Sequence, residues 1–134
     1  MSSEVPGHAV VLPAHVGGPH AAYEALLENG VLGFQACSAC RSAIFPPRLR
    51  CSACGADELT WRASAGRGTI YSTTVIAPRG REAYAVVLVD LDEGYRLMSR
   101  VEDHAVAIGA RVAAELSPRG GSTLPFFVPE GGDR

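Results

Sequence analysis

Apolar positions repeat with a helical period near the N-terminus and with a period of two in the C-terminal half. The helical stretch opens at Pro19, where proline suits the first helical position and Gly18 is a tolerable N-cap. Tyr23, Leu26 and Leu27 share one face, Glu24 and Glu28 another, and Asn29-Gly30 supplies a left-handed stop. A helix of about three turns is marginal alone, so its apolar face has to dock. Its own domain and a partner enzyme are both open as the docking site, and residues 19–34 are read as a docking helix. Upstream, residues 1–18 carry Pro6, Gly7, Pro13, Gly17 and Gly18 between short apolar stretches, which predicts an extended arm without a fold of its own.

The period-two pattern follows Cys54-Gly55. Leu59-Thr60-Trp61 begins a strand, Gly66-Arg67-Gly68 marks a bend or bulge, and Thr69 to Ile76 is β-branched and suited to a pleated surface. Tyr84 to Leu91 is the most continuously apolar run and predicts a strand covered on both faces. Strands are also expected at Tyr95–Val101, at Ala110–Leu116, where Gly109 argues against a helix, and at Leu124–Val128, an edge position that tolerates Pro125. Roughly five short strands joined by short loops match a small closed barrel, with an OB-fold the most economical form. The chain is therefore expected to be mainly β: an N-terminal helix, a ribbon over residues 35–56, and a five-stranded OB-fold barrel over residues 57–130.

Composition narrows the partners. In 134 residues the net charge is −2, and all 12 basic residues are arginine. Nothing in this balance supplies the broad basic field that non-specific nucleic-acid binding needs. No run of about 18 apolar residues is present, so no membrane span is expected. With no basic n-region and apolar h-region at the start, the expected location is cytoplasmic. An apolar content of 47% is high for a small chain, which leaves room for apolar surface buried against another protein.

The strongest chemical signal lies between the helix and the strands. Cys37-Ser38-Ala39-Cys40 and Cys51-Ser52-Ala53-Cys54 hold all four cysteines, and ten residues, Arg41 to Arg50, separate the pairs. Two C-x2-C knuckles can complete a tetrahedral S4 site at Cys37, Cys40, Cys51 and Cys54. Structural zinc is the favoured occupant, and a rubredoxin-like iron fits the same tetrahedron. Redox dithiols and a disulfide framework are weaker readings, because neither the helix-start context nor a secretory leader accompanies them. Four thiolates close the coordination sphere, so the ion would clip structure together and activate no water. Between the knuckles, Pro46-Pro47 predicts a stiff extended tip. Arg48 and Arg50 would lie beside the site, offsetting its charge or binding a phosphate.

No G-x-S-x-G elbow, P-loop or dinucleotide-binding glycine motif occurs. His8, His15 and His20 fit no ligand spacing and are read as solvated or partner-facing. Asp103-His104, the one neighbouring carboxylate–imidazole pair, is read as a solvated turn. The chain is expected to be non-enzymatic.

The order of parts is specific. Gly33-Phe34-Gln35-Ala36-Cys37-Ser38-Ala39-Cys40 leads to Phe45-Pro46-Pro47-Arg48, then Cys51-Ser52-Ala53-Cys54-Gly55 and Trp61. Gly68-Thr69-Ile70-Tyr71-Ser72-Thr73-Thr74-Val75 and Ile108-Gly109-Ala110-Arg111-Val112 complete it. From about residue 19 to 129 this resembles the small zinc-ribbon plus OB-fold proteins, long catalogued as a domain of unknown function, that accompany thiolase-like enzymes. The resemblance implies a non-catalytic accessory subunit of an acyl-CoA-processing complex, partnered by a thiolase, acyltransferase or aldolase in a hetero-oligomer. It also implies Cys37, Cys40, Cys51 and Cys54 as metal ligands, and a share in binding coenzyme A. Ser52 stands where the family commonly has proline, and the N-terminal arm has no counterpart in the pattern.

No sharp motif fixes coenzyme A contacts. Arg48, Arg79, Arg81 and Arg100 are candidates for phosphate, and Tyr71 and Tyr84 for an aromatic wall. Each is individually also a solvated arginine or a barrel-wall tyrosine. Two alternatives stand beside the accessory role: a single-stranded nucleic-acid binder, disfavoured by 7% aromatic content and a negative net charge, and a rubredoxin-like electron carrier.

Overall fold

Residues 8–10, 17–102 and 106–130 are described by a computed structural model. Helix α1, Pro19–Glu28, starts at the proline and is released at Asn29, with Gly30 in the left-handed region at φ +83°. Its Ala22, Tyr23, Leu26 and Leu27 are all buried, and the helix packs on the strands of its own chain. The apolar face is therefore covered from within, so of the two docking sites left open by the sequence it is its own domain that the helix uses. The segment read as helical to residue 34 is already strand at Gly33.

Two sheets follow. The first is built from β1 (His8–Ala9), β2 (Gly33–Cys37), β3 (Ala43–Ile44) and β4 (Leu59–Ala63), in the order β1-β4-β2-β3. Within it, β2 runs antiparallel to β4 from Gly33 opposite Ala63 to Cys37 opposite Leu59. So the strand beginning at Leu59, expected to open the barrel, belongs to the ribbon sheet. The N-terminal segment is corrected as well: His8 and Ala9 pair with Ala63 and Arg62, and the Val10 amide donates to the Trp61 carbonyl. Those bonds satisfy backbone groups on an otherwise open edge. Residues 1–7 and 11–16, including His15, lie outside the described residues, as does Asp103-His104.

The second sheet holds β5 (Arg67–Ile76), β6 (Tyr84–Leu91), β7 (Arg96–Val101), β8 (Arg111–Arg119) and β9 (Ser122–Pro129), in the order β7-β6-β5-β8-β9. Its five strands fulfil the period-two reading, with two corrections. The ladder does not close, because β7 and β9 remain its two edges; they pack beside one another without pairing, and the Ser99 hydroxyl donates across to the Pro125 carbonyl at 2.6 Å. And β6 is not covered on both faces. Ala85, Val87, Val89 and Leu91 are buried, while the alternate Tyr84, Val86, Leu88 and Asp90 are only half-buried. The register of β5 slips at Tyr71, between Ile70 and Ser72, which is not where the bulge was expected. Gly66, at φ +78°, marks the turn out of β4.

One apolar core spans helix, ribbon and barrel. Phe34 and Leu27 share it with Ile70, Val87, Val89, Val112 and Phe127, all of them buried. Aromatic rings pin the joint: Phe34 stacks on Tyr95 at 4.9 Å, Phe45 lies 5.4 Å from Tyr95, and Tyr23 meets Phe45 edge-on at 5.3 Å. Beside them the buried Glu93 carboxylate accepts from the Ser64 hydroxyl at 2.7 Å and from the Ala65 amide at 2.8 Å. These two bonds tie the turn between β6 and β7 to the segment that leads from β4 into β5.

Candidate metal centre

Each knuckle is one tight turn closed by the residue after its second cysteine. The Arg41 amide donates to the Cys37 carbonyl at 2.7 Å, and the Gly55 amide to the Cys51 carbonyl at 2.9 Å. Both closing residues are left-handed, Gly55 at φ +83° and Arg41 at φ +63°. Glycine adopts that conformation freely, whereas arginine is strained there. The first turn is tied down from behind, since the Cys37 amide donates to Ser42 and the Ser38 amide to Glu58. In the second, Cys51 donates its amide to Ala56, and the Ala53 amide points at the Cys51 sulfur at 3.3 Å.

These turns bring the four sulfurs within 4.8 Å of one another. Cys37 Sγ is 3.7 Å from Cys54 Sγ, and Cys40 Sγ is 3.6 Å from Cys51 Sγ. Those separations are far beyond a disulfide bond of about 2.05 Å. They match the edge of a tetrahedron with bonds of about 2.3 Å to a central zinc, which is roughly 3.8 Å. One cysteine of each knuckle is buried and one exposed, so the ion would sit at the rim of the ribbon.

The electrostatics favour a cation. Hydrogen bonding with the Ser42 side chain and backbone draws the Cys40 thiol down to about 6. Cys54 accepts from the Ala56 amide, which favours its thiolate, yet desolvation and the three neighbouring sulfurs push it up to about 12. Four bare thiolates repel one another, and a divalent ion removes that repulsion.

Behind the site, the buried Gln35 of β2 reaches across to the ribbon tip. Its Oε1 accepts from the Arg48 amide at 2.7 Å and its Nε2 donates to the Arg48 carbonyl at 2.9 Å. Sequence reasoning passed over Gln35; the signal was one polar residue inside the apolar run Gly33–Cys37.

Two domain models fit this chain in tandem: the ChsH2 rubredoxin-like zinc ribbon domain over residues 25–60 and the ChsH2 C-terminal OB-fold domain over residues 61–117. A solved chain from the Ltp2-ChsH2(DUF35) aldolase superposes with a TM-score of 0.73 at 30% identity, over 87% of this chain and 98% of that one. The chain belongs to the ChsH2 family. It is also 34% identical over 106 residues to the probable enoyl-CoA hydratase alpha subunit of Thermomonospora curvata, covering 73% of this chain and 33% of that relative. The chain thus spans about a third of the length of that curated relative.

Within the ChsH2 barrel the residues named for coenzyme A do not form one cluster. Arg100 does lie over the Tyr84 ring, 3.7 Å from its centroid. Arg79 and Arg81 are exposed in the loop between β5 and β6, just before Tyr84. Tyr71, however, is capped by Arg96 at 3.5 Å, an arginine that sequence reasoning missed. Arg48 belongs to the ribbon tip and lines a cleft of about 270 Å³ with Leu49, Trp61 and the start of α1. Arg50 donates to the Gly55 carbonyl at 3.2 Å, bracing the second knuckle. His20 pairs with Glu24 at 3.1 Å on the exposed side of the helix, apart from the sulfurs. No helix among the described residues is long and apolar enough to cross a membrane.

Proposed function

We propose that this chain is a non-catalytic accessory subunit that completes a thiolase-like acyl-CoA enzyme, with zinc held by Cys37, Cys40, Cys51 and Cys54 as a structural clip. The observation that carries the reading is the likeness, over 87% of this chain and 98% of the other, to a chain taken from an aldolase assembly. Site chemistry supports it: four thiolates leave a bound zinc no open position for substrate or water. Four free thiols also suit a reducing, cytoplasmic setting. Electron transfer is the weaker reading, because it needs iron in place of zinc, and purified protein would then be red.

Coenzyme A enters this proposal at the end of the barrel where Arg79, Arg81 and the Arg100–Tyr84 stack adjoin. The guanidinium groups of Arg79 and Arg81 suit its phosphates, and the Tyr84 ring offers a wall. The test is co-expression of the tagged chain with thiolase-like enzymes of its source organism, followed by gel filtration, metal analysis and acyl-CoA assays. A stoichiometric complex with one zinc per chain, and a partner that loses solubility or activity when the chain is left out, is expected. Recovery of the chain alone beside a fully active partner would overturn the reading.

A further inference from the structure

Tyr71 lies at the register slip in β5 and, alternating with the buried Gly68 and Ile70, is exposed on the outer face of β5, β6 and β7. There the Arg96 guanidinium lies over the Tyr71 ring and is held by Asp90, through Nε at 2.6 Å and Nη2 at 3.3 Å. At the other end, Arg100 lies over Tyr84 and is held by Glu102 at 2.9 Å, which Arg119 also reaches at 3.3 Å. Between these braced pairs is an apolar strip. Leu88 of β6 faces Met98 of β7 in the ladder, and Met98 is 66% exposed. Tyr71 is 50% exposed despite its arginine.

The composition is that of a binding hot spot: an exposed apolar centre flanked by arginine and tyrosine already fixed in rotamer. Its charge indicates the occupant. Including Arg79 and Arg81 of the adjoining loop, the face and its rim carry five arginines against Glu82, Asp90, Glu102 and Glu115, in a chain of net charge −2. Positive charge is thus gathered around an apolar centre. Three of the arginines are already held by carboxylates, an arrangement poorly suited to a phosphate backbone. We infer that this face docks the partner enzyme through an apolar patch ringed with carboxylates on that enzyme. The inference rests on the accessory role proposed above and assigns that role a surface.

Affinity for the co-expressed thiolase-like enzyme, measured by titration calorimetry, tests the assignment. Met98→Glu is expected to weaken binding by about 100-fold and Tyr71→Ala by about 10-fold. Leu49→Glu, at a ribbon-tip position 77% exposed, should stay within about threefold of wild type. Wild-type affinity should also fall as salt rises. Zinc content and circular dichroism are measured on each variant, so that an unfolded protein is not read as a lost interface. Normal binding by Met98→Glu overturns the surface while leaving the accessory role intact. Failure of wild-type chain to bind any thiolase-like enzyme overturns both. A labelled single-stranded oligonucleotide that binds tightly, or a dimer of this chain, overturns the assignment if Met98→Glu abolishes it.

Discussion

Gln35 holds both backbone polar groups of Arg48, accepting from its amide at 2.7 Å and donating to its carbonyl at 2.9 Å. The residues are 13 apart in sequence, and the two bonds fasten the ribbon tip to its own strand. Replacing Gln35 by leucine keeps the volume but strands a donor and an acceptor, each costing about 1–3 kcal/mol where water cannot reach. Gln35→Leu should therefore lose about 2–3 kcal/mol in denaturant unfolding. Wild-type stability in that variant would show that water replaces the amide at no cost.

Much of this arrangement could be read from the chain, and the failures have particular causes. Cysteine spacing placed the sulfurs because a C-x2-C turn has little freedom. Strand positions in the barrel followed from alternation, with Tyr84–Leu91 matching its observed limits. Alternation does not say which sheet a strand joins: Leu59–Ala63 has the pattern of a barrel strand, yet its partner is β2. Nor did the apolar face of Tyr23, Leu26 and Leu27 reveal what covers it. The slip at Tyr71 and its pairing with Arg96 arise from contacts between strands, for which a single sequence carries no local mark.

Metal removal should act locally first. Cys37, Ile44 and Cys51 form a small apolar cluster of their own, apart from the main core that unites helix, ribbon base and barrel. Chelation with a high-affinity zinc ligand is expected to release one ion per chain and to raise amide hydrogen exchange across residues 37–56. The amides of Val87 and Val89, in the barrel core, should stay protected. Cys51→Ser should mimic chelation. Uniform loss of protection along the chain would mean that ribbon and barrel unfold as one unit.

The pH response has a separate origin. Asp92 receives two hydrogen bonds from Arg111, at 2.8 and 2.7 Å, and Arg111 also approaches Glu130 at 3.5 Å, so the start of β8 is tied to the ends of β6 and β9. The bonds from Arg111 hold the Asp92 carboxyl below its ordinary value. A carboxyl depressed on folding stabilises fully above its unfolded pKa of about 3.9, and that contribution is lost as pH falls through the folded value. Both groups are well exposed, so screening keeps the effect small. Asp92→Asn should lower the melting temperature by roughly 2 °C at neutral pH, with the difference from wild type vanishing near pH 2. A difference that persists there would point to packing and away from charge.

Gly68 sits where β5 pairs on both sides, opposite Leu91 of β6 and Val112 of β8. A Cβ on it would lie 2.5 Å from the Asp90 carbonyl oxygen and 2.8 Å from Val89 Cγ1. The first neighbour is ladder backbone and the second belongs to a side chain packed in the core, so neither can move aside cheaply. Gly33 gives the contrast: a Cβ there meets Leu26 Cδ1 at 2.6 Å and Trp61 Cε3 at 3.2 Å, side-chain atoms only, with no ladder backbone among them. Gly68→Ala should accordingly cost about 3 kcal/mol or more, and Gly33→Ala about 1–2 kcal/mol. Urea unfolding of both variants decides the order. Equal losses, or the larger loss at Gly33, would show that β5 and β6 can separate to admit a methyl group, and that the close strand approach at Gly68 is no constraint on the barrel.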